Sequence, residues 1–271
     1  MRTALSILTL VFMTINSNAN ATGSFTEEII SIKTRNGNEQ SGVLSRSHET
    51  TNPKKLVLLV SGNPSVTRPR FDENGKITTR QNGNFLVRSR HYLLSPQVIT
   101  LLLDCRSDFD SACPDDYQAS AERAQDIEDL VAEIRRRFTS VSEVWAVSTS
   151  RGTITTAGLL KHKETSYTGI IHTAGTYGIA ISQGVDFGPY KTPQFIFHHK
   201  HDPCRYTFHR DAARLSEKWG ISLVTVSGGS GFKGDACQAF TQHGFAGREE
   251  KVSLAIRNLV ETGVIEKNEI D

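Results

Sequence analysis

The run Val144-Trp145-Ala146-Val147-Ser148-Thr149-Ser150-Arg151-Gly152-Thr153 joins an apolar block to a serine set among small residues. A continuous apolar block suits a strand buried on both faces, the habit of parallel sheets. Residues 151–161 then read as a helix. Strand, small-x-Ser-x-Gly, helix is the pattern of a tight turn that pushes the serine out at the head of the helix. The turn needs small residues two before and two after the serine, here Ser148 and Gly152. The backbone N–H of Arg151 faces the same space and suits a developing oxyanion. Taken alone, the same string also describes an ordinary N-capping serine. The rest of the chain decides between them.

Outward from this run, apolar strands alternate with helical periodicities. Leu56–Val60 and Val98–Leu103 precede it; Gly169–His172, Phe195–Phe197 and Leu223–Val226 follow. Residues 25–46 read as strands around the hairpin signal Asn36-Gly37. Residues 120–138 predict the clearest helix, with Ala124, Ile127, Leu130, Val131 and Ile134 on one face. Further helices are expected over 84–95, over 207–219, and at the C-terminus through Val252, Ala255, Ile256 and Leu259. Residues 64–84 are polar and read as a long loop of the kind that is usually functional or mobile. A βαβα order predicts an α/β protein, with a mostly parallel sheet and helices on both faces. In such sheets the chemistry sits beyond the carboxyl ends of the strands.

Three more strand ends carry polar groups. Ser61-Gly62-Asn63-Pro64 follows Leu56–Val60, and Asn63 retains the N–H that Pro64 lacks. His198-His199-Lys200-His201-Asp202-Pro203-Cys204 follows Phe195–Phe197, and Asp202 is placed to orient an imidazole. His243 is the only histidine after the last apolar strand. The order Ser150…Asp202…His243 is that of a nucleophile, acid and base on this type of sheet. Competing assignments exist. Asp104 or Asp108 is an alternative acid. His198, His199 and His201 form a weak metal cluster with no second cluster at ligand spacing. Arg151, and the basic run Arg68, Arg70, Arg80, Arg88 and Arg90, suit either an anionic substrate group or plain solvation. His172 reads as a core histidine, and Tyr177 as a possible lining residue.

Composition bounds the partners. The chain has 271 residues, with 31 Lys+Arg against 29 Asp+Glu. So balanced a charge makes no case for nucleic acid or an anionic membrane. Met1-Arg2, the short apolar run Ala4–Met13 and Ala19-Asn20-Ala21 read as a secretory signal peptide over 1–21, leaving one domain over 22–271. Export is therefore expected, to a periplasm or outside the cell. No segment is apolar for long enough to predict a stable span. Four cysteines remain, Cys105, Cys113, Cys204 and Cys237, and in an exported chain they suggest disulfides. Three connectivities are open; the local pair Cys105–Cys113, leaving Cys204–Cys237, is the simplest. Four reduced thiols are the alternative.

On Ser61-Gly62-Asn63, Ser148-Thr149-Ser150-Arg151-Gly152, Asp202-Pro203 and His243-Gly244, the chain resembles the α/β-hydrolase superfamily, most nearly its small single-domain esterases of the dienelactone-hydrolase-like group. The resemblance covers nearly all of 25–262. It implies Ser150 as nucleophile, Asp202 as acid and His243 as base, with the N–H groups of Asn63 and Arg151 as oxyanion hole. It departs from many members at Ser61 and Ser148, where His and Gly are common. The stretch between the strands near His172 and Gln194, about twenty residues, is too short for a cap domain. The expectation is an exported serine hydrolase of small carboxylic esters that needs no cofactor or metal. The runner-up is an amidase or peptidase with the same triad. A non-catalytic binding protein on the same fold is the rival of another class.

Overall fold

A computed structural model describes residues 25–271. The expected signal peptide over 1–21 lies outside the described residues. Nine strands form one sheet: β1 (Phe25–Lys33), β2 (Glu39–Ser47), β3 (Lys55–Val60), β4 (Val98–Leu103), β5 (Glu143–Thr149), β6 (Gly169–Thr173), β7 (Gln194–His199), β8 (Ser222–Val226) and β9 (Glu269–Ile270). Their spatial order is β1-β2-β4-β3-β5-β6-β7-β8-β9. The hairpin β1–β2 is antiparallel and meets β4 antiparallel; from β4 onward every pair is parallel.

Seven helices accompany the sheet: α1 (Phe85–Ser89), α2 (Asp115–Gln118), α3 (Ala121–Arg137), α4 (Thr153–Lys163), α5 (Tyr177–Ser182), α6 (His209–Trp219) and α7 (Glu249–Thr262). Side chains alternate between the two faces along each strand. On one face Val57, Leu59, Val147 and Ile171 pack with Phe85 of α1 and Ile256 and Leu259 of α7. On the other, Leu56, Leu58, Ala146 and Ile170 pack with Ile127, Leu130 and Ile134 of α3 and Leu159 of α4. Both faces are thus apolar, which explains strands that read as unbroken apolar runs.

The helix expected over 120–138 forms as α3, with the Ser120 hydroxyl accepting from Arg123 N–H at 3.0 Å. Residues 64–84 hold a short two-stranded ribbon, Arg70–Phe71 against Ile77–Thr78. Residues 174–193 hold only α5 and coil, so no cap domain stands over the sheet. The strand Leu223–Val226 is not the last: Glu269–Ile270 pairs with it in parallel. Two residues in a charged C-terminal segment carry too little periodicity to predict that strand.

Register sets the site. Val60 of β3 lies opposite Ser148 of β5, so both strands end level. The turns at Ser61-Gly62 and Thr149-Ser150 therefore meet: a Cβ built on Gly62 would lie 3.0 Å from Ser150 Cβ.

Candidate active site

Ser150 leaves β5 with φ of +51°, a left-handed conformation uncommon for a residue with a side chain. The turn Ser150–Gly152 then feeds α4, whose first residue is Thr153. The helix starts two residues later than its periodicity predicts, because the turn uses Ser150–Gly152. Gly152 is required there. A Cβ on it would lie 2.5 Å from the Val60 carbonyl oxygen and 2.7 Å from that of Ser61. Thr176 holds the turn from the far side, its hydroxyl donating to the Ser150 carbonyl at 3.2 Å.

The departure at Ser148 has a physical reason. Its hydroxyl is fully buried, 2.9 Å from Thr156 Oγ1 and 3.4 Å from His172 Nδ1. His172 Nε2 meets Gln194 Oε1 at 3.3 Å, and Gln194 donates to the Phe187 carbonyl at 2.7 Å. Burial lowers the His172 pKa to about 4, partly opposed by the Gln194 contact, so the ring is neutral at pH 7. It is a core histidine, as expected. Tyr177 is buried against it, with ring centroids 6.3 Å apart.

The cleft above the strand ends has a volume of about 450 Å³, and Ser150, His243, Asn63 and Arg151 all line it. Pro64, Gln81 and Asn84 form part of one wall; Tyr206, the Cys204–Cys237 disulfide and Phe240 contribute to the other. The 64–84 segment therefore serves as wall at its two ends, while its ribbon lies beside β1.

Asp202 follows β7 and is buried. Its Oδ1 accepts the Cys204 N–H at 2.9 Å. Its Oδ2 lies 3.0 Å from His243 Nδ1 and accepts the Thr207 hydroxyl at 2.9 Å. Burial works against the charged carboxylate, but hydrogen bonds from His198 and His243 outweigh it and hold the pKa well below the usual carboxylate range. An acceptor-only carboxylate places the His243 proton on Nδ1, leaving Nε2 as the free acceptor. His243 sits in a one-turn helix, Gln242–Gly244, capped by the Thr241 hydroxyl at 3.1 Å.

Two fasteners hold the histidine segment. Cys204 and Cys237 are bonded, with Cα atoms 4.5 Å apart, and tie the Asp202 loop to it. The other disulfide, Cys105–Cys113 with Cα atoms 5.7 Å apart, lies elsewhere, packed with Val66 and Tyr117; the second fastener is Arg88. Arg88 donates to the Gly83, Ala239 and Gly244 carbonyls at 2.5, 3.1 and 2.7 Å and pairs with Glu249 at 2.9 Å. It joins the two walls of the cleft.

Several expectations are corrected. The Arg151 guanidinium is not a free cation: it binds Asp115 through two hydrogen bonds of 2.6 and 2.5 Å. Four members of the basic run meet acidic partners, while Arg70 is exposed and Arg80 pairs at the surface. Arg68 pairs with Asp104, Arg80 with Asp110, Arg88 with Glu249 and Arg90 with Glu27. Asp104 is no alternative acid, since its carboxylate accepts from the Thr67 and Cys105 N–H groups and Arg68. Asp108 is paired with Arg106. His198 Nε2 lies 2.6 Å from the Thr207 carbonyl and His199 Nε2 3.0 Å from that of Gly228. Among the described residues no group of three ligand-type side chains sits at metal-holding spacing. Thr207 was not legible as a site residue: it stands five positions after Asp202, where a helix was expected to start.

No family model matches the chain, and no relative emerges among curated proteins. Solved structures do match. A protein of unknown function from Agrobacterium tumefaciens, described as a candidate alpha/beta hydrolase, aligns at TM-score 0.58 and 16% identity, over 88% of this chain and 98% of its own. A brefeldin A esterase, a bacterial homologue of human hormone-sensitive lipase, aligns at TM-score 0.58 and 12% identity, over 94% of this chain and 80% of its own. A prolyl endopeptidase aligns at TM-score 0.53 and 8% identity, over 90% of this chain but 39% of its own. The fold is the α/β-hydrolase fold.

Proposed function

We propose that the protein is an exported serine hydrolase acting on small carboxylic esters, with Ser150, His243 and Asp202 as its catalytic triad. The observation that carries this reading is the 3.0 Å contact of His243 Nδ1 with Asp202 Oδ2, beside a cleft that Ser150 shares with His243. Ser150 Oγ attacks the ester carbonyl while His243 Nε2 takes its proton. The Asn63 and Arg151 N–H groups receive the oxyanion, each such donor being worth about 3 kcal/mol in the transition state. His243 then protonates the leaving alcohol, and water, activated by the same imidazole, cleaves the acyl-enzyme. Asp202 keeps His243 in the correct tautomer and stabilises its cation.

The brefeldin A esterase supports an ester substrate, and the uncapped cleft suits an alcohol group that projects into solvent. The disulfides suit an oxidising compartment. The test is a fluorophosphonate probe on the purified protein, with the adduct mapped by mass spectrometry. Labelling at Ser150 that disappears in His243→Ala is the expected result. A folded protein that does not label overturns the hydrolase reading and favours a binding role. An ester and amide panel then separates esterase from amidase or peptidase, whose fold neighbour is the prolyl endopeptidase.

A further inference from the structure

We infer that Thr207 is a positioning residue of this site, a hydroxyl that holds the acid and base in register and tunes the basicity of His243. The inference rests on the triad assignment above. The Thr207 side chain has 0% exposure. Its Oγ1 lies 2.9 Å from Asp202 Oδ2 and 3.0 Å from His243 Nδ1. A hydroxyl has one proton and two lone pairs. The carboxylate can only accept, so the proton goes to Asp202 and a lone pair faces the His243 Nδ1–H. That N–H is thereby shared between Oδ2 and Oγ1, and both acceptors stand on one short loop.

The loop itself is fastened at Thr207. Its backbone N–H donates to the Cys204 carbonyl at 3.0 Å. Its carbonyl sits 2.6 Å from His198 Nε2, which must carry the proton because a carbonyl can only accept. His198 has 0% exposure, and its Nε2 is also 3.4 Å from Asp202 Oδ2. A buried imidazole with no route to solvent thus fixes the backbone whose hydroxyl grips the acid. Thr241 accepts only from the His243 backbone N–H, and neither it nor Thr153 has a hydroxyl contact with the Asp202 carboxylate or the His243 ring.

Removing a donor from Oδ2 leaves more negative charge facing the imidazole, which favours its cation. Losing the weaker shared lone pair acts the other way and is the smaller effect, since hydrogen bonds to charged groups are the stronger ones. The net expectation is a higher His243 pKa. The other titratable groups around the cluster are His198 and His199 on β7, Lys200 and His201 beyond it, Tyr177 on α5 and His209 on α6. They are unchanged by a substitution at position 207, so a difference between variants reports the hydroxyl.

The experiment compares wild type, Thr207→Val, which keeps the shape, and Thr207→Ser, which keeps the hydroxyl. Folding is checked by circular dichroism, and His243 is titrated by NMR of its imidazole. The rate of fluorophosphonate labelling at Ser150 is followed against pH. In the valine variant we expect a His243 pKa higher by roughly half a unit and labelling slower on the order of 10- to 100-fold. In the serine variant labelling returns to within about threefold of wild type, and the His243 titration to within about 0.1 unit of it. A folded valine variant with an unmoved titration overturns the inference, whether or not labelling slows, because a merely structural hydroxyl leaves the imidazole alone. Should the valine variant not fold, Thr207→Ala carries the same comparison. If wild type fails to label, the hydrolase reading falls, while the titration shift still decides the role of Thr207.

Discussion

Replacing Arg88 with Met keeps the aliphatic stem and removes the guanidinium that joins the two cleft walls. Three carbonyls, of Gly83, Ala239 and Gly244, lose a charged donor, and Glu249 loses its partner. Each hydrogen bond from a charged group contributes about 1.5–3 kcal/mol, and bonds sharing one head group do not add. The Arg88 side chain is 15% exposed, so these bonds are little screened; Glu249 is 25% exposed, and its half of the pair contributes about 1 kcal/mol or less. The net loss is about 4 kcal/mol. For a chain of this size that lowers Tm by roughly 8–16 °C. Function should suffer before the melt. Ala239 and Gly244 flank His243, so a loosened segment misplaces its imidazole, and labelling at Ser150 slows by about tenfold or more even at 25 °C. Arg88→Lys should fall between, since an ammonium can keep Glu249 but cannot span three carbonyls. Thermal denaturation followed by circular dichroism and labelling rates measure both effects. A methionine variant with Tm within about 2 °C of wild type and an unchanged labelling rate would refute the clamp.

The two disulfides should respond differently to a phosphine reductant. Cys237 is exposed, whereas Cys105 and Cys113 are both buried. Cys204–Cys237 should therefore open first, and Ser150 labelling should fall while the circular dichroism signal persists; full labelling after verified release of those two thiols would count against this. His172 makes stability depend on pH. Its folded pKa is lowered from 6.5 to about 4, so below pH 6.5 the unfolded chain binds a proton that the folded chain refuses. Its effect is absent above about pH 6.5 and grows as pH falls towards 4, reaching at most about 3 kcal/mol. Denaturant midpoints measured from pH 7.5 to 4.5 should show this loss, and His172→Gln should flatten it; equal slopes in the two proteins would rule it out.

The unbroken apolar runs of β3, β4 and β5 announced a sheet covered on both faces, and both faces are covered. The run Ser148–Gly152 announced a tight turn, and Ser150 has the left-handed backbone such a turn demands. The start of α6 was less legible. A helix from residue 207 was expected, yet it begins at His209, because Thr207 is committed to Asp202. Asp202 and His243 could be named from their places after β7 and β8, since the order of strand ends is a property of the chain. Thr207, His198 and Arg88 could not, because nothing in their own neighbourhoods distinguishes them from a helix start, a strand residue and a solvated base.

Local pattern by itself determined the alternation of strands and helices, the turn at Ser150 and the order in which Asp202 and His243 follow it, because periodicity and small-residue spacing act over a few positions. Only the tertiary structure decided the partners. Arg88 meets Glu249 across 161 positions, Arg151 meets Asp115 across 36, and Cys204 joins Cys237 across 33. A charge or a thiol carries no mark of which distant group it will face. The parallel register levels β3 with β5 and brings two loops over one cleft, Arg68, Arg88 and Arg90 find acidic partners, and Thr207 meets both Asp202 and His243.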